Sequence, residues 1–176
     1  REREKHRWAD SEHIVGVIAV GDNEPWLAME YMDGGDLEDL LAEHPHGLPP
    51  DQALWIGECV CKALEVAHSI GRAHLDVKPE NVLLKDTDGW PWPKVADWGL
   101  ARTLAEETGI MDELSVEYAA PEQFDSAEFG DPDELTDIYQ TGALVQALLT
   151  GDPPATGSHL EVKQAVTNEE PLVMPT

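Results

Sequence analysis

Asp76, Lys78 and Asn81 fall within six residues of one another in the run His74-Leu75-Asp76-Val77-Lys78-Pro79-Glu80-Asn81-Val82-Leu83-Leu84. Pro79 keeps the segment from becoming a regular helix, and an irregular loop can aim three different side chains at one point. A carboxylate placed there can accept a proton from a hydroxyl, an ammonium can neutralise charge on a group in transfer, and a carboxamide oxygen can bind a hard cation such as Mg²⁺. The combination suits phosphoryl transfer, in which catalysis is mostly positioning and electrostatic stabilisation. A turn assembled from ordinary turn residues would explain Asp, Pro and Asn as well, so the meaning of the loop depends on what surrounds it.

The elements around the loop can be read from pattern. Ala53, Leu54, Ile56, Val60, Ala63, Leu64 and Ala67 recur at helical spacing between Asp51 and Ile70, and Gly71 closes that helix just before the loop. After it, Val82-Leu83-Leu84-Lys85 and Pro93-Lys94-Val95-Ala96 read as short strands across the turn Asp86-Thr87-Asp88-Gly89, whose two aspartates lack the remaining ligands of a calcium loop. Asp97-Trp98-Gly99 follows directly, putting a second carboxylate beside a backbone-permissive glycine. Upstream, Ile14 to Val20 and Trp26 to Tyr31 read as two strands joined by a turn, and Asp36 stands where it would cap a helix beginning at Leu37. Residues 1 to 9 read as the tail of a helix, and Glu43 to Pro50 as a connector in which His44 and His46 have no third metal ligand nearby. Downstream, Asp131-Pro132-Asp133-Glu134 reads as a helix start with Pro in the first turn, Leu135 to Leu149 as the helix, and Gly151, Pro153 and Pro154 as its stop. Ser158 to Val166 reads as one more helix.

Taken in order, the loop at 74–84, Met29-Glu30-Tyr31-Met32-Asp33-Gly34-Gly35-Asp36, Asp97-Trp98-Gly99, Ala120-Pro121-Glu122 and Asp137-Ile138-Tyr139-Gln140-Thr141-Gly142 resemble the motifs of eukaryotic-type protein kinases. Lys78, two residues after the acid, resembles the serine/threonine branch. The resemblance implies an α+β, protein-kinase-like fold, mostly the helical large lobe plus the hinge and a remnant of the small-lobe sheet. Residues 1–31 would be the small-lobe remnant and 32–176 a truncated large lobe. It implies ATP and Mg²⁺ as cofactors and a protein as substrate. Asp76 would orient the substrate hydroxyl and accept its proton, Lys78 would stabilise the γ-phosphoryl group, and Asn81 and Asp97 would hold Mg²⁺. Met29 would be the gatekeeper, and the backbones of Glu30 and Met32 would hydrogen-bond the adenine. Asp36 would lie near the ribose or simply cap its helix, and Leu83 would pack beneath the adenine ring or simply join the core. Asp137 would anchor the catalytic-loop backbone, with a first-turn Asp favoured by the helix dipole as the other reading. Glu4 or Glu2 would be the regulatory-helix acid, and residues 100–119 the activation segment, from which Ser115 would touch Asp76 and Lys78.

Several positions depart from the family pattern. Trp98 replaces the usual Phe, and Glu122 lacks the late-helix arginine that normally pairs with it. Leu75 stands where many kinases have Arg, so phosphorylation of Thr103, Thr108 or Ser115 has less to grip and is not expected to be the main activating event. The Gly-rich loop and phosphate-clamping lysine would lie ahead of the regulatory-helix Glu, and a complete domain would need about 250 residues. The 176-residue chain therefore reads as a fragment, weakly active or inactive by itself. The alternative is a pseudokinase-like, non-catalytic interaction module.

Composition limits the partners. Asp and Glu total 36 against 11 Lys and Arg, for a formal net charge of −25, and a surface this negative repels nucleic acid and anionic membrane. With 41% apolar residues and six Trp the chain can still build a core, so the acidity reads as a halophile-like, haloarchaeal-type surface whose self-repulsion high salt would screen. Cys59 and Cys61 read as buried thiols and fit a reducing, cytoplasmic compartment. The apolar runs are too short to span a membrane.

Overall fold

The computed structural model describes residues 11–21, 26–98 and 116–167. Two antiparallel pairs of strands and a set of helices are joined through a short hinge, which is the α+β arrangement expected from the motif order. β1 (Val17–Val20) pairs with β2 (Leu27–Met29), with an irregularity between Val17 and Ala19. The chain then runs through the hinge to α1 (Leu37–Glu43) and α2 (Pro50–His68). A single 3₁₀ turn at Pro79–Asn81 leads into the hairpin of β3 (Val82–Lys85) and β4 (Trp92–Val95). After a second 3₁₀ turn, Val116–Tyr118, come α3 (Pro121–Phe124), α4 (Ser126–Phe129), α5 (Glu134–Thr150) and α6 (His159–Thr167).

The core forms where α2 and α5 pack together and the β3–β4 hairpin closes over α2. Ile56, Val60 and Leu64 from α2 meet Leu144 and Leu148 from α5, while Val82, Leu84 and Val95 come in from the hairpin. Each of these side chains is at least 99% buried. Complete burial of a Leu, Ile or Val contributes about 1.5–3 kcal/mol, so this layer fixes where the two long helices sit. Gly57 faces Val145 so closely that an added Cβ would stand 2.7 Å from its Cγ2, which lets the helices cross at short range.

The hinge is bonded to the hairpin rather than suspended between the two parts. Gly34 N–H donates to Leu84 O and Leu84 N–H to Gly35 O, both at 2.9 Å, and Asp86 N–H donates to Asp33 Oδ1 at 3.0 Å. The strand leading into β1 is tied down in the same way, since Val15 N–H donates to Val95 O at 3.0 Å and Val95 N–H to His13 O at 2.8 Å.

Some expectations shift by a residue or a face. α5 is capped by Asp133, whose Oδ1 takes Leu135 N–H at 2.7 Å while Thr136 Oγ1 returns a bond to Asp133 N–H at 3.1 Å. Pro132 therefore precedes the cap instead of lying in the first turn, because a two-way side-chain cap outweighs the prolyl preference. Cys59 is buried but Cys61 is exposed: two residues span about 200° of helix, so they leave α2 on opposite sides. The last helix occupies His159–Thr167, one residue later than read. Residues 1–9, the turn at 22–25, Gly99 and most of the activation segment, including Thr103, Thr108 and Ser115, lie outside the described residues.

The loop before α2 docks on the end of α5 through two left-handed glycines. Gly47 has φ +83° and Gly151 φ +85°; a Cβ on Gly47 would collide with the Leu149 carbonyl, and one on Gly151 with the Pro45 carbonyl. Leu48 N–H donates to Leu148 O at 2.7 Å within this joint. Gly47→Ala is expected to destabilise the protein by about 2 kcal/mol or more, read as a lower urea midpoint with an unchanged slope.

Candidate active site

Asp76, Lys78 and Asn81 meet directly. Asp76 Oδ2 lies 3.2 Å from Lys78 Nζ and accepts Asn81 Nδ2 at 2.9 Å, and the same Nδ2 donates to the Asp76 backbone carbonyl at 2.7 Å. The convergence is local in origin. Pro79 opens the 3₁₀ turn and Asn81 ends it, so the chain folds back and returns the amide to the carboxylate. With its nitrogen committed to Asp76, Asn81 keeps its carbonyl oxygen as the atom able to bind a hard cation.

Asp97 reaches the same region through the backbone. Ala96 N–H donates to Asn81 O, and His74 Nε2 donates to Ala96 O, each at 2.8 Å. Asp97 therefore begins one residue beyond a double tether to the loop. Its carboxylate and that of Asp76 both act electrostatically on His74. Asp97 has φ +57°, a strained conformation for a non-glycine residue that persists where neighbouring structure over-determines it. Trp98 packs on the loop: its Nε1 donates to Val95 O at 3.1 Å and its indole meets the His74 ring edge-on, with centroids 4.7 Å apart.

The loop hangs from one buried carboxylate. Asp137 is fully buried, and it accepts Leu75 N–H at 2.6 Å, His74 N–H at 2.8 Å and His68 Nε2 at 2.7 Å. This is the anchoring role; the side chain is spent on the loop, not on the first turn of α5. Leu75 is held at φ +65°, again a left-handed conformation at a non-glycine residue. His74 acts through both ring nitrogens. Because Nε2 donates to a carbonyl, Nδ1 is the acceptor and takes Asp76 N–H at 3.2 Å, an arrangement that only the neutral imidazole can make. Burial depresses its pKa, opposed by the Ala96 carbonyl and the carboxylates of Asp137, Asp76 and Asp97.

The hinge residues lie against the outer face of the hairpin. Leu83 and Lys94 are register partners, so they share that face, while Val82 and Leu84 point into the core. Leu83 is half-buried there. Glu30 Oε2 receives Lys94 Nζ at 2.7 Å, and Glu30 Oε1 lies 3.6 Å from Lys85 Nζ. The Lys94 ammonium is the main cause of a lowered Glu30 pKa. The clasp turns the Glu30 side chain toward the lysines. Met32 is half-buried, whereas Met29 is 37% exposed. Asp36 does cap α1, with Oδ1 accepting Asp39 N–H at 2.9 Å.

Sequence reasoning missed three contacts. Glu122 has a partner that its own neighbours do not announce: Thr136 Oγ1, which also serves the α5 cap, donates to its Oε1 at 2.5 Å. The Glu30 clasp was foreshadowed only by two lysines on one face of a hairpin. Gln123 and Gln140, which bond the loop backbone beside Asp76, carried no signal in the sequence.

Two outcomes follow from this geometry. Asp137→Ala leaves three buried donors without an acceptor and is expected to cost about 3–5 kcal/mol, measured by chemical denaturation. His74 has a folded-state pKa below the unfolded value of about 6.5, so below that pH the unfolded chain takes up a proton that native His74 refuses. Its contribution to stability is complete above about pH 6.5 and is lost as pH falls toward the folded pKa. NMR titration is expected to find the His74 ring taking up its proton at a lower pH than an unfolded histidine, and a His74→Gln variant to lose less stability than the parent as pH falls below about 6.5.

The chain matches the protein kinase domain family over residues 1–174. It is 35% identical over 171 residues to the serine/threonine-protein kinase PknB of Mycobacterium leprae, covering 90% of this chain and 26% of the relative. It is 33% identical over 172 residues to PknB of Mycobacterium tuberculosis, and 40% identical over 150 residues to PknL of that organism, covering 82% of this chain and 36% of the relative. The chain thus spans about a quarter to a third of the length of these curated relatives. With the catalytic loop, its buried anchor and the second acid held as described, the chain belongs to the protein kinase domain family.

Proposed function

We propose that this chain carries the catalytic-loop and hinge portion of a serine/threonine protein kinase, which transfers the γ-phosphate of ATP to a serine or threonine hydroxyl of a protein. The observation that supports this most is the direct contact of Asp76, Lys78 and Asn81, with Asp97 tethered one residue beyond the His74–Ala96–Asn81 links. In the transfer, the substrate oxygen bonds to the γ-phosphorus, the bond from that phosphorus to the β-bridging oxygen breaks, and ADP leaves. Asp76 orients the hydroxyl and takes its proton. Lys78, already beside Asp76, stands next to the phosphoryl group and balances its charge. Glu30 O and Met32 N–H bind the adenine edge, Leu83 lies beneath the ring, and Asp36 approaches the ribose with the oxygen that its cap leaves over.

The Asn81 carbonyl oxygen and the Asp97 carboxylate are hard oxygen donors of the kind that Mg²⁺ takes together with phosphate oxygens and water. When bound, the ion supplies charge neutralisation on the β- and γ-phosphates. ATP as donor places the reaction in the cytoplasm. Residues 1–31 serve as the small-lobe side of the nucleotide cleft and 32–176 as the large-lobe side. The net charge of −25 sets the working condition at high salt, where self-repulsion is screened.

The test measures γ-phosphate transfer from MgATP to a serine-bearing protein, in parallel with binding of a fluorescent ATP analogue, at low and at molar KCl. Asp76→Asn is expected to lower transfer by at least about 100-fold with binding retained, and Asp97→Ala to remove the Mg²⁺ dependence of binding. Transfer and melting temperature are both expected to rise with KCl; a flat salt response sinks the high-salt part alone. This chain by itself is expected to be weakly active or inactive; if an upstream-extended form binds nucleotide and still transfers nothing, the non-catalytic interaction module becomes the better reading.

A further inference from the structure

We infer that Gln123 and Gln140 form a neutral positioning pair that fixes the backbone on both sides of Asp76 and makes its orientation depend on the docking of Val116–Pro121. The inference rests on the phosphoryl-transfer reading for what Asp76 does, but its geometry stands independently.

The argument begins with the two peptide planes that flank Asp76. Leu75 O belongs to the plane before it and Val77 N–H to the plane after it. Gln123 Nε2 donates to Leu75 O at 2.9 Å, with Gln140 Nε2 a second, longer donor at 3.5 Å. Gln140 Oε1 accepts Val77 N–H at 2.9 Å. Together the two amides hold both planes, and with them φ and ψ of Asp76. Asp137 cannot do this, since its contacts are to the N–H groups of His74 and Leu75, one plane further back. Leu75 sits at φ +65°, a strained conformation that lasts only where its surroundings over-determine it. Asp137 grips its N–H and Gln123 its carbonyl.

The pair is also continuous with the chain that follows the activation segment. Gln140 Nε2 donates to Gln123 Oε1 at 2.9 Å, and that oxygen accepts Ala120 N–H at 3.0 Å. The pattern fixes both amide orientations, because flipping either one would set N–H against N–H or carbonyl against carbonyl. Gln140 is 97% buried, so its bonds are not shared with solvent. Leu75 offers no charge with which to grip a phosphate, and the connection from Ala120 to the loop is made by uncharged amides. Docking of Val116–Pro121 is what completes the pair.

The test uses Gln140→Leu, Gln123→Leu and the double variant in the full 176-residue chain. Gln146→Leu serves as control: Gln146 is on the same helix, and its buried Oε1 has no hydrogen-bond partner. Amide hydrogen exchange in a peptide covering residues 72–80 is expected to quicken at least about tenfold in each Gln140 and Gln123 variant, with α2 unchanged. The transfer rate at saturating MgATP is expected to fall at least about tenfold with KM for ATP within about twofold, and the double variant to be no worse than either single one. Gln146→Leu is expected to leave exchange and transfer as they are. Unchanged exchange at 72–80, an equal rise in α2, or quicker exchange with an unaltered rate would each overturn the positioning role. If the variants quicken exchange but neither the chain nor an upstream-extended form transfers phosphate, the bracing stands and the phosphoryl-transfer reading fails.

Discussion

A carboxylate with no access to water must be met by donors, and Asp137 is met by the backbone of the loop that carries the chemistry. The rest of the site hangs from that requirement. α5 is placed by its packing on α2; its first turn then presents Asp137 to His74 and Leu75. The loop so held returns Asn81 to Asp76, Asn81 O receives Ala96 N–H, and Ala96 leads into Asp97. Each step is a hydrogen bond to a main-chain group, so the arrangement depends on backbone geometry before it depends on any catalytic side chain. The left-handed Leu75 and Asp97 mark where the chain bends to comply.

Charge is distributed economically. In a chain with 11 Lys and Arg against 36 Asp and Glu, three lysines are concentrated at the cleft. Lys78 contacts Asp76, and Lys85 and Lys94 clasp Glu30. Lys94 is only 14% exposed, so its pairing is screened less by salt than the surface pair Lys62–Glu58. The Glu30 clasp links the hinge to the β3–β4 hairpin, whose other face is core, and so couples the hinge to the packed centre. Next to Asp76, by contrast, the supports are a neutral imidazole and neutral amides. They hold the loop without adding charge beside its carboxylate.

Much of the site was legible because its spacing is short. Asp76, Lys78 and Asn81 are brought together by one 3₁₀ turn with Pro79 at its start, and local geometry of that kind is written in adjacent residues. Helices with a clear apolar period, such as α2, were legible for a similar reason. Cys61 and Pro132 were misread because each was assigned from its neighbours alone, whereas a helix face and a competing cap decide them. Asp36 shows the limit from the other side, since capping α1 and lying near a ribose make the same demand on residue type.

The sequence by itself determined the order of the chemical groups, the α+β class and the identity of the loop, because motif spacing and apolar periodicity are properties of consecutive residues. Tertiary structure alone decided that Asp137 spends its carboxylate on a loop some sixty residues earlier, that Glu30 turns toward Lys94, and that two glutamines bracket Asp76. Glutamine has no positional signature in a sequence: its amide bonds equally well to water, side chain or backbone, and only burial beside an unpaired peptide group selects among them.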